Sequence, residues 1–281
     1  MAASLEETRY ELALANRIIA HEGVLDAFGH VSVRHPGDPG RYLLARSRSP
    51  QLIEPGDIHE FTLDSEPVGD AGVTHYAERV IHGCIYRARP DINAVCHHHS
   101  PAVLPFCITG MELLPVCHMG AVLGGPVPFW ESRDDFGDTN MLVIKPEEGQ
   151  SLARALGQHW IVLMRRHGAA VGGTTLRELV FRTVYSHFNA EMQLRSTTLG
   201  RIGPLTRGEV ELTCPLQLQP RAIGRAWEYW TARLEESGAL PPAGRRPASG
   251  RGAGKSPAAR SRSARGAKSG SRPARSRRRG R

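Results

Sequence analysis

Three consecutive histidines, His97-His98-His99, close a short apolar run, Ala94-Val95-Cys96, that follows the turn signal Pro90-Asp91. Such a run reads as a buried strand, and side chains alternate along a strand. His97 and His99 then face one side, roughly 6.5 Å apart along the chain, and His98 faces the other. One divalent ion can take both imidazoles at about 2.0–2.1 Å each. A second apolar run, Trp160-Ile161-Val162-Leu163-Met164, ends at Arg165-Arg166-His167-Gly168 and brings a third histidine to a strand end. Gly168 there permits close backbone approach. Three histidines with an open fourth position is the pattern of a catalytic rather than a structural zinc site. Spacing alone also fits a chance metal-sticky patch. Glu78, on the preceding helix, is either an acid/base partner of the metal or a helix-surface acid paired with a nearby arginine.

The rest of the body alternates helix and strand signals. Residues 5–22 carry Leu12, Ala15, Ile18 and Ile19 at helical spacing, and Gly23 stops them. Residues 29–34 alternate as a strand, 36–40 turn, and 42–45 return as a second strand. A third short strand is predicted at 58–62. Helices are predicted at 74–89 (capped by Thr74, with stripe Val80, Ile81, Cys84, Ile85), from Pro101 (capped by Ser100), at 149–157 and at 175–199. Helices and strands intermixed through one body give an α/β class.

Charge divides the chain. Of thirty-six Lys plus Arg, fourteen lie in residues 241–281, which hold no acid. The remaining twenty-two face all twenty-eight acids, so residues 1–240 are acidic although the whole chain carries +8. The tail is Gly, Ala, Ser, Pro and Arg with almost nothing to bury, which predicts disorder. It is either a polyelectrolyte arm for nucleic acid or anionic membrane, or a solvated extension; the second is favoured. No run of eighteen apolar residues exists, and the acidic N-terminus lacks the regions of a signal peptide. Five scattered cysteines without a CxxC pair suit reduced thiols, and the expected location is cytoplasmic. Cys96, beside the histidines, is read as a small buried strand residue rather than a ligand or nucleophile.

The stretch from Glu78 through Ile85-Tyr86, Arg89-Pro90-Asp91 and Ala94 to Ser100 resembles the class II aldolase/adducin family. That family carries an acid nineteen positions before its first ligand histidine, the interval from Glu78 to His97. Leu163 to Gly168 is similar to its third-ligand motif, and Phe28-Gly29-His30-Val31-Ser32-Val33-Arg34 to its N-terminal strand. The likeness runs from about residue 8 to about 200. It implies an α/β/α sandwich around a largely antiparallel sheet, with residues 1–240 as the catalytic domain. It also implies a four-fold homotetramer with active sites at subunit interfaces. The implied metal ligands are His97, His99 and His167, with Glu78 catalytic. The cofactor is a divalent ion, zinc favoured over manganese, iron or cobalt.

Departures from the sugar-phosphate members narrow the substrate. Those members hold phosphate with an Asn, a Thr-Gly pair and a Ser-Ser pair. Here stand His30, then Ser47-Arg48-Ser49, then Tyr76-Ala77. The hydroxyl-rich anion nest is largely gone. Arg46 and Arg48 stand near where the phosphate would sit; an arginine suits a carboxylate through paired hydrogen bonds, and Arg48 is the one read as orienting it, unless both are ordinary solvated loop residues. Tyr76 suits an aromatic ring. Together with Ser47, His30 and His118-Met119-Gly120, these residues resemble the dihydroxyphthalate-type decarboxylase branch. His118 is either a second polar group in the pocket or a packed loop residue. The expected activity is non-oxidative decarboxylation of a hydroxylated aromatic acid. The alternatives are an aldolase acting on a hydroxy-carbonyl substrate and a non-catalytic interaction protein with a nucleic-acid-binding tail.

Overall fold

The structure is a computed structural model that describes residues 3–69 and 72–242. The basic tail expected to be disordered lies outside the described residues. Helix α1 (Leu5–His21) opens with Ser4 and Glu7 in reciprocal side-chain-to-backbone bonds, 3.2 Å and 2.8 Å. Seven strands follow: β1 (His30–Arg34), β2 (Arg41–Ala45), β3 (Ile58–Thr62), β4 (Ala94–His98), β5 (Phe129–Trp130), β6 (Ile161–Met164) and β7 (Gly168–Gly173). They form one sheet in the order β3-β2-β1-β4-β7-β6-β5, antiparallel except for the β5–β6 edge pair.

Strand periodicity sorts the sheet into two faces. Val31, Val33, Ala94, Cys96, Ala169 and Val171 pack into one core with α1, α6 (Leu176–Thr197) and α8 (Pro220–Glu236). Tyr42, Leu44, Val95, Val162, Met164 and Ala170 pack into the other with α2 (Val80–Ala88) and α5 (Pro146–Leu156). The result is the expected α/β/α sandwich with a largely antiparallel sheet. The remaining helices are α3 (Leu104–Thr109), α4 (Ser132–Phe136) and α7 (Arg207–Gln217). No helix among the described residues is long and apolar enough to cross a membrane.

Three helix starts differ from the sequence expectation. The helix predicted from Thr74 begins only after a 3-10 turn at Ala77–Arg79. Residues 74–76 are instead drawn alongside the end of β2, where Ser47 N donates to Thr74 O (2.8 Å) and Arg46 bridges His75. Ser100 does not cap a helix at Pro101. Its carbonyl closes a turn onto Val103 N and Leu104 N (3.0 and 2.9 Å), its hydroxyl meets His187 Nδ1 (2.7 Å), and α3 begins at Leu104. The helix expected at 149–157 starts three residues earlier, because Pro146 occupies its first position and Glu148 accepts from Ile144 N and Lys145 N.

Strand β7, Gly-Ala-Ala-Val-Gly-Gly, had no counterpart in the sequence reading. Its small residues follow from its central position. A Cβ on Gly168 would sit 2.3 Å from His98 O and 2.9 Å from His99 Cδ2. Gly168→Ala is therefore expected to push β7 off β4 exactly where the histidines leave the sheet. A loss of about 1–3 kcal/mol should appear in thermal or denaturant unfolding, with weaker metal retention. An unchanged unfolding midpoint would refute this steric account.

Candidate metal centre

Strand β4 delivers His97 fully buried, opposite His30 on β1 and Ala170 on β7. His97 Nδ1 lies 3.1 Å from Ala169 O, a carbonyl that can only accept. His97 Nδ1 is thus protonated, and its Nε2 carries the free lone pair. That Nε2 lies 3.0 Å from His99 Nε2. His167 arrives from the tight β6–β7 connection, which turns through Arg166 in a left-handed conformation (φ 59°). The rings of His99 and His167 stack 5.1 Å apart, and both stand near-perpendicular to His97. Glu78 comes in from the 3-10 turn before α2. Its Oε2 lies 3.6 Å from His97 Nε2 and its Oε1 3.6 Å from His167 Nε2.

One ligand atom from each of Glu78, His97, His99 and His167 fits within 4.8 Å of the others. The donor set suits a divalent cation: nitrogen lone pairs and one carboxylate converging on a small volume. Burial, with the nearby His97 charge, lowers His99 to about 4, and the same causes lower His167 to about 4. Both imidazoles are neutral at physiological pH, the form that ligates. Burial pushes the Glu78 carboxyl up, but the His97 contact, the electrostatic pull of His97 and His167 and the Val143 amide outweigh it and bring it to about 2. The Val143 N–H donates to Glu78 Oε1 at 2.9 Å, an anchor from a residue far along the chain that carries no local signal.

The cluster opens into a cavity of about 340 Å³ lined by His30, Ser47, Arg48, Tyr76, Glu78 and His99, with Phe28 and Leu142 at its apolar side. Tyr76 tilts over His30 with ring centroids 4.6 Å apart, and its hydroxyl donates to Arg48 O. Arg48 reaches the cavity, but its guanidinium is already engaged. Its Nη1 lies 2.5 Å from Asp57 Oδ2 and its Nη2 3.3 Å from Glu54 Oε1. Arg46 Nε binds the other Asp57 oxygen at 2.6 Å. Neither arginine is the freely solvated loop residue that the sequence left open.

His118 is not brought to this cavity. It lies in a 3-10 turn, with Gln217 Nε2 3.2 Å from its Nδ1, and lines a different cavity with Phe181, Tyr185 and Tyr229. Its neighbours on α6, α7 and α8 decide that position, and local sequence carries no signal of it. Cys96 points into the core opposite His97, and burial raises its thiol far above neutrality. His82, on α2, is fully buried behind the cavity. It contacts His30 Nδ1 and Ser32 Oγ, each at 2.6 Å.

Several known proteins are similar to this chain. The decarboxylase tropJ of Talaromyces stipitatus is 33% identical over 245 residues, covering 79% of this chain and 91% of that protein. The 3,4-dihydroxyphthalate decarboxylase of Arthrobacter keyseri is 29% identical over 207 residues, 68% of this chain and 79% of that protein. The L-fuculose 1-phosphate aldolase of Glaciozyma antarctica shares the fold with a TM-score of 0.71 at 23% identity, covering 85% of this chain and 95% of that one. Residues 10–194 match the family described as Class II Aldolase and Adducin N-terminal domain, and the chain belongs to that family.

Proposed function

We propose that this chain is a metal-dependent carbon–carbon lyase that removes the carboxylate of a hydroxylated aromatic acid as carbon dioxide. The observation that carries the proposal is the three-histidine, one-glutamate cluster opening into a cavity lined by the rings of Tyr76 and His30. Relatives named as decarboxylases, two of them quoted above, support the reaction. His97, His99 and His167 would hold the ion, with zinc the preferred metal. When bound, a divalent ion supplies Lewis acidity for negative charge building on a substrate oxygen.

The chain's own groups do the rest. Glu78 is ionised and fixed by Val143, so it can accept the proton of the substrate hydroxyl. It then returns that proton to the ring carbon bearing the carboxylate. As the carbon–carbon bond breaks, its electron pair restores the aromatic ring as a phenolate, and carbon dioxide leaves. Tyr76 covers the ring face, and burial holds its phenol neutral by pushing it up to about 12. Ser47, His30 and the remaining donors of Arg48 face the substrate's polar groups.

We further place the catalytic domain at residues 1–240, with 241–281 a basic extension outside it. The working form is read as a cytoplasmic homotetramer whose neighbouring subunits complete the cavity. The test is to incubate the metal-loaded protein with a panel of hydroxylated aromatic acids and measure carbon dioxide, with sugar phosphates assayed in parallel for aldol cleavage. Carbon dioxide release from at least one acid is expected. Cleavage of a sugar phosphate with no release from any acid would replace this reading with the aldolase one.

A further inference from the structure

Behind the cavity, a run of hydrogen bonds leads to His30 through three groups that the reaction above does not use: His82, Ser32 and Tyr86. His30 Nδ1 is 2.6 Å from His82 Nε2, His82 Nδ1 is 2.6 Å from Ser32 Oγ, and Ser32 Oγ is 2.7 Å from the Tyr86 hydroxyl. Two periodicities build it. His30 and Ser32 are alternate residues of β1 on the α2 face of the sheet, and His82 and Tyr86 are one turn apart on α2. His82 and Ser32 have no exposure at all, Tyr86 has 1% and His30 has 3%.

The direction of this run follows from proton counting. A buried hydroxyl proton without an acceptor is costly. Among the described residues, Ser32 Oγ is the side-chain oxygen in hydrogen-bond reach of the Tyr86 hydroxyl, so Tyr86 donates to it. The Ser32 proton then goes to His82 Nδ1. A neutral His82 accepting at Nδ1 carries its proton on Nε2, which donates to His30 Nδ1. Both rings are enclosed in the core and no carboxylate among the described residues is hydrogen-bonded to either, so neither takes a second proton. His30, accepting at Nδ1, has its single N–H on Nε2, for which the described residues offer no hydrogen-bond partner, and its ring lines the cavity. The reverse direction would leave the Tyr86 proton unpaired in the core.

We propose that the Tyr86–Ser32–His82 run locks His30 in the Nε2–H tautomer, making it a fixed hydrogen-bond donor to an anionic oxygen of the substrate. Tyr86, Ser32 and His82 act as positioning residues, and His30 sets specificity for an acid over a neutral ring. The arginines fit this assignment: Asp57 engages both Arg46 and Arg48, whereas the His30 Nε2–H has no partner among the described residues. The assignment of a substrate oxygen rests on the decarboxylase reading; the tautomer does not.

The experiment has two arms on the full chain. Nitrogen-15 NMR of histidine-labelled protein, without substrate, should show His30 with a protonated Nε2 and an unprotonated Nδ1. In Tyr86→Phe and Ser32→Ala that signature should shift toward a mixture of tautomers. In the second arm, KM for an accepted acid should rise about tenfold in these variants, the order expected for a weakened bond to a charged group. The change in kcat should be smaller and metal content equal. A His30 protonated on Nδ1, or a tautomer that survives both variants, overturns the proposal. An unchanged KM alongside a shifted tautomer removes the substrate role. If no acid is decarboxylated, the NMR arm still decides the tautomer on its own.

Discussion

His99→Ala protein is expected to purify without stoichiometric metal and to lose at least about a thousandfold in activity, a few kcal/mol of transition-state stabilisation. His99 is the informative ligand to remove. His97 is buried in the sheet with its Nδ1 tied to Ala169 O, so truncating it leaves a hole between β1 and β7. His99 lies just past the last residue of β4 and is partly exposed, so its loss leaves the strand ladder intact. Metal analysis by mass spectrometry, read beside a thermal unfolding curve, separates a lost ligand from a lost fold. Wild-type metal content together with wild-type activity would show that the cluster is not the working site.

Glu78→Gln should behave differently. The amide keeps the shape of the side chain and can still accept from the Val143 N–H, so metal is retained at least in part. Activity falls by roughly 10²–10⁴, the usual cost of losing a positioned acid/base. The contrast between the two variants carries the argument. Loss of metal in the first and loss of turnover with metal in place in the second would assign binding and proton movement to different side chains. Activity surviving Glu78→Gln would move the proton step elsewhere, with His30 the next group lining the cavity.

Much of this centre was legible before any fold was known. Strand alternation put His97 and His99 on one side and His98 on the other, and the structure brings the first two together without the third. The third histidine followed from its place at the end of an apolar strand. The helix start at Thr74 was not legible, because Thr74 and His75 are recruited by β2, a partner distant in sequence. Strand β7 was not legible either. Its glycines answer to neighbours outside the strand, His98 at Gly168, Ile92 at Gly172 and Leu179 at Gly173, which leave no room for anything larger.

The sequence by itself determined the alternating elements, the three imidazoles at strand ends and the acid nineteen residues before the first of them. The elements and the imidazoles are local facts, fixed by period along one strand or helix; that the acid belongs with them is what the family resemblance implied. The tertiary structure decided which distant groups meet. Antiparallel pairing of β1 with β4 set His30 opposite His97, and α2 lying over β1 closed the run from Tyr86 to His30. The same long-range packing tied Arg46 and Arg48 to Asp57 and carried His118 away to another cavity. Register and layer packing are properties of partners far apart in the chain, and no local periodicity encodes them.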